Sequence, residues 1–217
     1  MASVEVQASY WAEACAALRA ADPVMAVLMD AHPTGMLVGR GAPLETLMRS
    51  VVGQQISVKA AQSIWLRFAA AVGEVNDPHA VLRVPDEAMR ACGFSGSKVR
   101  YVKGIAQGFA DGTVHPGLWN GMDDAAVSAE LVKLPGIGRW TAEMFLMFHL
   151  LRPDVLPVDD LGLVKGYKVA YFGAEFEDLP LKAWQTKLIA AAEAWRPWRS
   201  VAVWYLWRSL DPVEVGY

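Results

Sequence analysis

A glycine-rich turn carries the strongest chemical signal in the sequence. It reads LPGIG over residues 134–138, with Lys133 before it and Arg139 after it. Gly136 and Gly138 permit positive φ and leave the backbone N–H groups uncovered by side chains. Amides at the start of the following helix form an anion site suited to phosphate. The turn therefore predicts a grip on a nucleic-acid backbone that reads no base sequence, and the plain alternative is an ordinary glycine-rich connection between two helices.

Tryptophan is the second unusual feature, with nine in the chain. Four of them cluster near the C-terminal end, at Trp195, Trp198, Trp204 and Trp207. Large aromatic rings serve either as core packing or as the walls of a pocket for a flat ligand, and both interpretations stay open for each ring.

Helical signals dominate the segments that must position these residues. Apolar spacing, capping residues and Gly or Pro at the joints indicate about ten helices. They are expected near residues 8–20, 43–52, 58–72, 85–93, 97–109, 123–133, 138–150, 160–172, 180–195 and 198–210, with Ser57 and Ser97 as caps. No segment keeps the alternation of a strand. The sequence therefore predicts an all-α fold.

Composition narrows the function classes. The chain has 217 residues, of which 54 % are hydrophobic and 20 % charged, which excludes a disordered or fibrous protein. No apolar stretch is long enough to span a bilayer, and the N-terminus lacks the basic region of a signal peptide. Two cysteines are too few for a disulfide framework or an iron–sulfur cluster, so we expect a cytoplasmic protein, associated with the nucleoid if bacterial. The net charge of −3 gives no support for nucleic-acid binding, although Lys98, Arg100 and Lys103 are candidate phosphate contacts.

Three segments together resemble the helix-hairpin-helix (HhH-GPD) DNA glycosylases, most closely the AlkA-type 3-methyladenine DNA glycosylase II. They are SVVGQQIS (residues 50–57), the stretch from LPGIGRWTA to PVDDLGLVK (residues 134–165), and RPWRS (residues 196–200). The resemblance implies two helical subdomains with a helix-hairpin-helix motif and the active site in the cleft between them. It implies a central lobe of about residues 50–155 and a second lobe of about residues 1–49 plus 156–217. We expect no extra N-terminal α/β domain.

The family's catalytic aspartate corresponds to Asp160, and the adjacent Asp159 is then a turn or capping residue. The plain alternative is that Asp160 too is only a helix N-cap. Cleavage of an N-glycosidic bond develops positive charge on the deoxyribose. A carboxylate at about 4 Å stabilises that charge by roughly 4 kcal/mol at an effective dielectric near 20. The same group can orient or deprotonate the attacking water, and the sequence leaves both roles open.

The resemblance also implies a pocket for a flipped base, formed by Trp140, Met144, Trp207 and Arg208. Met144 and Arg208 stand where the best-known relatives have tyrosine, which leaves the substrate range open. Members with lyase activity carry a nucleophilic lysine at the position of Trp140, so we expect a monofunctional enzyme. Aromatic faces attract cationic alkylated purines by about 0.5–2 kcal/mol.

The remaining implied sites contact the DNA itself. Gln55 matches the side chain that fills the space left by the flipped base, with an ordinary helix-end glutamine as the alternative. The hairpin residues are expected to bind phosphate; they are Pro135, Gly136, Ile137, Gly138, Arg139 and Thr141. We expect a monomer acting on damaged double-stranded DNA, with no organic cofactor, no transition metal and at most a structural monovalent cation on the hairpin carbonyls.

The leading hypothesis is thus a base excision repair glycosylase for alkylated purines such as 3-methyladenine and 7-methylguanine. The alternatives are a glycosylase for other damaged or deaminated bases, and a non-catalytic lesion-binding module that needs the hairpin but not Asp160.

Overall fold

The structure is a computed structural model that describes residues 6–39, 41–173 and 178–210. Most of these residues are in helices. The α-helices there are α1 (Trp11–Ala21), α2 (Pro23–Ala31), α3 (Pro43–Gly53), α4 (Val58–Val72), α5 (Pro78–Arg83), α6 (Asp86–Ala91), α7 (Gly96–Ala110), α8 (Asp124–Leu131), α9 (Arg139–Phe148), α10 (Leu161–Phe172), α11 (Leu181–Ala192) and α12 (Arg199–Arg208). Short 3-10 turns span Pro116–Gly121 and Glu193–Trp195. A two-residue strand β1 (Val6–Gln7) pairs antiparallel with β2 (Val38–Gly39). The all-α prediction is confirmed.

Six of the α-helices described above begin at a residue whose side chain accepts a backbone N–H: α2, α4, α5, α7, α8 and α10. Ser57 accepts from Ala60 at the start of α4, as predicted. The predicted cap of α7 at Ser97 is wrong: Ser95 accepts the Lys98 N–H at 3.3 Å, because Gly96 already has helical geometry and the helix starts earlier. The Ser97 hydroxyl instead accepts a hydrogen bond from Arg100.

Two short helices, α2 and α5, were not predicted from the sequence. Each begins with an Asp-Pro pair, in which the aspartate caps and the proline takes the first helical position. Asp22 accepts the N–H groups of Val24 and Met25, and Asp77 accepts that of His79. This pair was the signal that could have located both helices.

The chain divides into two compact units. Among the described residues, the first covers 41–145 and the second covers 6–39 with 146–173 and 178–210, so that the boundary falls inside α9. These limits lie earlier in the chain than the lobe limits expected from the resemblance, and the two-lobed arrangement about a cleft stays a prediction.

Each unit has its own core. Fully buried side chains of the first unit include Met48, Phe68 and Trp119. In the second unit Trp184 and Trp195 are fully buried. Three of the nine tryptophans therefore have the core-packing role that was one of the two alternatives.

Candidate active site

The glycine-rich turn forms a tight hairpin between α8 and α9 in the first unit. The Ile137 N–H donates to the Leu134 carbonyl at 3.1 Å, and the Ile137 side chain is buried. Gly136 has φ +83°, a conformation that favours glycine. The predicted hairpin and the inward direction of Ile137 are confirmed. Because its N–H closes the turn, Ile137 supports the hairpin and leaves phosphate binding to its neighbours.

One face of α7 holds this hairpin in place. A Cβ added at Gly136 would lie 2.7 Å from the Tyr101 ring. A Cβ at Gly104 would collide with Pro135, and a Cβ at Gly108 would collide with Leu134. Two glycines four residues apart on one helix thus let the hairpin backbone pack closely. Sequence reasoning missed this support, although the Gly-x-x-x-Gly spacing was visible.

The start of α9 carries the candidate DNA and base contacts. Gly138 is exposed, lacks positive φ, and a Cβ there would meet no atom within 4 Å. The first intrahelical bond runs from the Ala142 N–H to the Gly138 carbonyl, so the Gly138 amide lies at a helix N-terminus. Arg139 is largely exposed and pairs with Glu143 through Nε at 2.9 Å.

Three further predicted contacts on this helix differ in exposure. Trp140 is 36 % exposed, whereas Met144 is only 6 % exposed. Thr141 is also buried at 6 %. Trp140 is thus the most solvent-exposed of these three side chains, whereas Met144 and Thr141 are largely covered by their surroundings.

The loop after α3 holds Gln55 in an unusual conformation. Gln55 is exposed and has φ +62°, which costs a non-glycine residue about 1–2 kcal/mol. Lys98 on α7 donates to the carbonyls of Val52 and Gln54 at 2.7 and 2.9 Å. The Gln54 side chain donates to the Gly136 carbonyl at 3.1 Å, which joins this loop to the hairpin.

The lysines and arginine proposed as phosphate contacts on α7 serve other contacts. Partial burial lowers the pKa of Lys98, whose ammonium bonds the loop carbonyls. Lys103 pairs with Asp86 at 2.5 Å, and Arg100 bonds the Ser97 hydroxyl. Lys98 and Lys103 are partly buried as well as paired, so the interpretation as phosphate contacts loses its support for these two lysines and stays a prediction for Arg100.

Asp160 lies in the second unit, at the N-cap of α10. Its Oδ1 accepts the Leu163 N–H at 2.6 Å and the Trp207 indole N–H at 2.9 Å. Asp160 is therefore an N-cap, as the plain alternative held, and it is also joined to one of the predicted pocket tryptophans. Charge-assisted hydrogen bonds from two N–H groups to one oxygen fix the orientation of the carboxylate.

Trp207 is placed for this contact by its neighbours within the second unit. Its ring is 8 % exposed and stacks on Phe148, with centroids 6.0 Å apart. A Cβ at Gly162 would lie 3.0 Å from Asp160 Oδ1 and 3.6 Å from the indole, so glycine keeps the contact uncrowded. The neighbouring Arg208, at the end of α12, is half-buried.

Hydrogen bonds join the loop before Asp160 to α12 and to the turn that precedes α12. Arg199 donates to both carboxylate oxygens of Asp154, at 2.5 and 3.0 Å, and Arg196 donates to the same carboxylate at 2.8 Å. Ser200 bonds the Arg152 carbonyl and the Val155 N–H. The arginines of the RPWRS segment therefore anchor this loop, a role that the sequence did not reveal.

Asp159 has a separate partner. Gln185 of α11 donates to the Asp159 side chain and to the Val158 carbonyl, both at 3.1 Å. Asp159 is exposed and lies in the turn before the helix. The two adjacent carboxylates are thus distinguished by their partners, and Asp159 has the turn role that was expected of it.

Two other classes of site find no support in the part of the chain that the structure describes. Clusters of three or more His, Cys, Asp or Glu side chains able to hold a metal ion are absent from residues 6–39, 41–173 and 178–210. Within those same ranges, none of the helices combines the length and apolarity that crossing a membrane requires.

Comparison with known proteins identifies a family. Residues 48–199 match the family described as HhH-GPD superfamily base excision DNA repair protein. The chain is 36 % identical to DNA-3-methyladenine glycosylase 1 of Schizosaccharomyces pombe over 171 residues, covering 77 % of this chain and 72 % of that protein.

Solved structures agree with this match. A DNA-3-methyladenine glycosidase from Bacillus halodurans superimposes with a TM-score of 0.83 at 32 % identity, over 96 % of this chain and 93 % of that one. The Schizosaccharomyces pombe 3-methyladenine DNA glycosylase Mag1, solved in complex with abasic DNA, gives 0.73 at 30 % identity, over 91 % and 96 %.

Proposed function

Because the chain belongs to the HhH-GPD superfamily of base excision DNA repair proteins, we propose that it is a monofunctional DNA glycosylase of the 3-methyladenine type. It releases N-alkylated purines from damaged duplex DNA and leaves the strand intact. The relatives and solved structures named 3-methyladenine glycosylases support the substrate class.

The single observation that carries the proposal is the environment of Asp160. A carboxylate held by Leu163 and by the Trp207 indole keeps one orientation at the start of α10. A fixed anion stabilises a cation that develops beside it without having to reorganise during the reaction. An aspartate that served only as a cap would need no indole partner.

The proposed reaction is hydrolysis of the N-glycosidic bond. The C1′–N bond breaks and its electron pair leaves with the base. An alkylated purine that carries positive charge departs as a neutral molecule, so no proton has to be supplied to it. Water then adds to C1′, and its proton passes to the Asp160 carboxylate or to solvent. Asp160 stabilises the oxocarbenium-like sugar and orients the water.

The base contacts are proposed from side-chain type and exposure. Trp140 is partly exposed at the start of α9, and a cationic purine over the face of an indole gains about 0.5–2 kcal/mol. Trp207 contributes the edge of its ring beside Asp160. Met144 and Arg208 are proposed as substrate-range residues, and the alternative of a glycosylase for other damaged or deaminated bases rests on them.

The DNA backbone contacts are proposed for the exposed part of the hairpin. Gly138 presents an amide at the start of α9, and Arg139 adds a nearby positive charge. Gln55 is the proposed wedge, since it is exposed and held in a strained conformation.

Other properties follow from the same proposal. The enzyme works as a monomer without an organic cofactor, in the cytoplasm, and is associated with the nucleoid if the protein is bacterial. The donors offered to a monovalent cation are backbone carbonyls only. Those of Leu134 and Gly136 each accept one hydrogen bond already, and a carbonyl oxygen has a second lone pair for an ion. That ion supports the hairpin and takes no part in the chemistry.

The absence of lyase activity is proposed from position 140. The resemblance to helix-hairpin-helix glycosylases implies that a lyase carries a lysine directly after the hairpin, where its amine forms a Schiff base at C1′, and a tryptophan stands there.

Base release from methylated duplex DNA tests the proposal. The purified protein is incubated with methylated DNA, and the freed bases are separated by chromatography. We expect release of 3-methyladenine and 7-methylguanine. Duplexes that carry oxidised or deaminated bases are incubated in parallel, and base release from those duplexes alone supports the alternative substrate class. Binding of lesion-containing DNA with no base release of any kind supports the non-catalytic module.

A further inference from the structure

Every described hydrogen bond near Gln55 belongs to its neighbours. Its own side chain makes none with the described residues. On one side the Gln54 carbonyl accepts from Lys98, and on the other Ser57 caps α4. A residue held at φ +62° with an unengaged side chain is fixed by its surroundings and directed outward.

The same face of α7 reaches both this loop and the hairpin. Lys98 contacts the loop, while Tyr101, Gly104 and Gly108 contact the hairpin. Residues three or four apart on a helix are neighbours on its surface, so these four lie on one side of α7. The Gln54 side chain also joins the loop directly to the hairpin, because it donates to the Gly136 carbonyl. The position of the loop that carries Gln55, relative to the hairpin, is therefore set mainly by α7.

We propose that Lys98 is a positioning residue for base flipping: by binding the Val52 and Gln54 carbonyls, its ammonium holds Gln55 at a fixed place relative to the hairpin. The inference rests on the proposed glycosylase function. Without Lys98 the carbonyls at the end of α3 lose their cationic partner, which is a favourable partner at a helix C-terminus. Gln55 then relaxes away from its left-handed conformation, and the wedge no longer enters the duplex in register with the phosphate grip.

The first experiment compares Lys98→Met with Lys98→Arg and Lys103→Met. Methionine keeps much of the length of the lysine side chain but has no N–H donor, whereas arginine has enough N–H groups to reach both carbonyls. Lys103→Met removes one positive charge from the same helix, at a residue that pairs with Asp86 instead. We expect Lys98→Met to lower the single-turnover rate of base release from duplex DNA by between about 10- and 100-fold, the scale of a small displacement of an aligned group. Arginine recovers most of the rate, and Lys103→Met stays near the wild type.

The second experiment asks whether Lys98 acts through Gln55. A 2-aminopurine next to the lesion brightens when its neighbour leaves the stack, and we expect Lys98→Met to reduce this signal. In a Gln55→Ala background, Lys98→Met has no further effect on the signal or on base release. Multiplying effects in the double variant, or an equal loss in Lys103→Met, would overturn the proposal in favour of a direct charge contribution. If Lys98→Met does not reach the wild-type Tm, Lys98→Gln, which has no charge and a shorter side chain ending in an amide, takes its place.

Failure of the proposed function has a different signature. If the wild-type protein releases no methylated base, the proposed glycosylase function is contradicted, and the rates of base release cannot test the role of Lys98. Amide hydrogen exchange then decides on Lys98. Faster exchange at residues 54–57 in Lys98→Met, but not in Lys103→Met, supports the fixing of the loop, and unchanged exchange refutes it.

Discussion

The indole nitrogen of Trp207 lies 2.9 Å from Oδ1 of Asp160 and donates a hydrogen bond to it. The two residues come from different segments of the second unit. The ring is buried and stacked on Phe148, so it cannot turn without disturbing the packing. The direction of the Asp160 carboxylate thus depends on a tryptophan that the sequence suggested only as a base contact.

Replacing Trp207 with phenylalanine tests this dependence. Phenylalanine keeps a flat ring against Phe148 and removes the N–H, so we expect kcat for base release to fall between about 10- and 100-fold with DNA affinity retained. Trp198→Phe is the matched control, because Trp198 belongs to the same unit and stacks on Tyr10 instead. Equal activity in the two variants would show that the indole N–H does not orient Asp160.

Replacing Asp160 with asparagine separates catalysis from helix capping. Asparagine caps a helix as well as aspartate does, so we expect a normal Tm and normal DNA binding. Loss of about 4 kcal/mol of charge stabilisation corresponds to a roughly thousandfold slower release of base. Asp159→Asn is the control, since Asp159 is exposed and bonds Gln185. If Asp159→Asn releases base slowly and Asp160→Asn remains active, Asp159 and not Asp160 would be the catalytic carboxylate.

The sequence predicted features that depend on near neighbours and missed those that depend on distant ones. The Ser57 cap and the hairpin at residues 134–138 follow from local residue types. The contact of Lys98 with Val52 joins residues 46 positions apart, and that of Trp207 with Asp160 joins residues 47 apart. No periodicity encodes such pairs, because they arise from tertiary packing.

Low pH should destabilise the segment before the hairpin, because acid protonates the carboxylate of Glu130 on α8. Its carboxylate accepts hydrogen bonds from Trp119 at 2.7 Å and from His115 at 2.9 Å. Burial opposes its ionisation, but these hydrogen bonds outweigh burial and lower the pKa of Glu130 below its ordinary value of 4.5. A carboxyl with a lowered pKa contributes stability that is complete above about pH 4.5 and is lost as the pH falls through the lower folded value.

Glu130→Gln measures this contribution. The variant loses charge-assisted bonds, so we expect its Tm at pH 7 to fall by about 3–10 °C. The wild-type and variant Tm values should converge as the pH falls below the folded pKa of Glu130. Glu74→Gln, at an exposed position outside the helices of the same unit, is the control and should leave the Tm at pH 7 near that of the wild type. A Tm gap that stays constant down to about pH 3 would contradict the role of the Glu130 charge.

Borohydride trapping tests the proposed lack of lyase activity. A lyase forms a Schiff base that borohydride reduces to a stable protein–DNA adduct, and Trp140 supplies no amine for this step. We expect no adduct with alkylated or abasic duplex DNA, and strand cleavage only after hot alkali. A glycosylase with known lyase activity serves as the positive control. A trapped adduct that survives denaturing electrophoresis would overturn the monofunctional assignment.

Two glycines of the hairpin should respond to alanine in opposite ways. At Gly136 the positive φ and the Tyr101 ring, 2.7 Å from an added Cβ, both oppose alanine, so Gly136→Ala should lower the Tm. At Gly138 neither obstacle exists within 4 Å, so Gly138→Ala should keep the wild-type Tm. Its methyl group would instead stand at the proposed phosphate contact at the start of α9, and we expect DNA binding to weaken about tenfold, or about 1.4 kcal/mol. Calorimetry and fluorescence anisotropy on one duplex separate the two effects. Undiminished affinity in Gly138→Ala would place the phosphate grip elsewhere, because a methyl group at that amide cannot be reconciled with close contact to a phosphate oxygen.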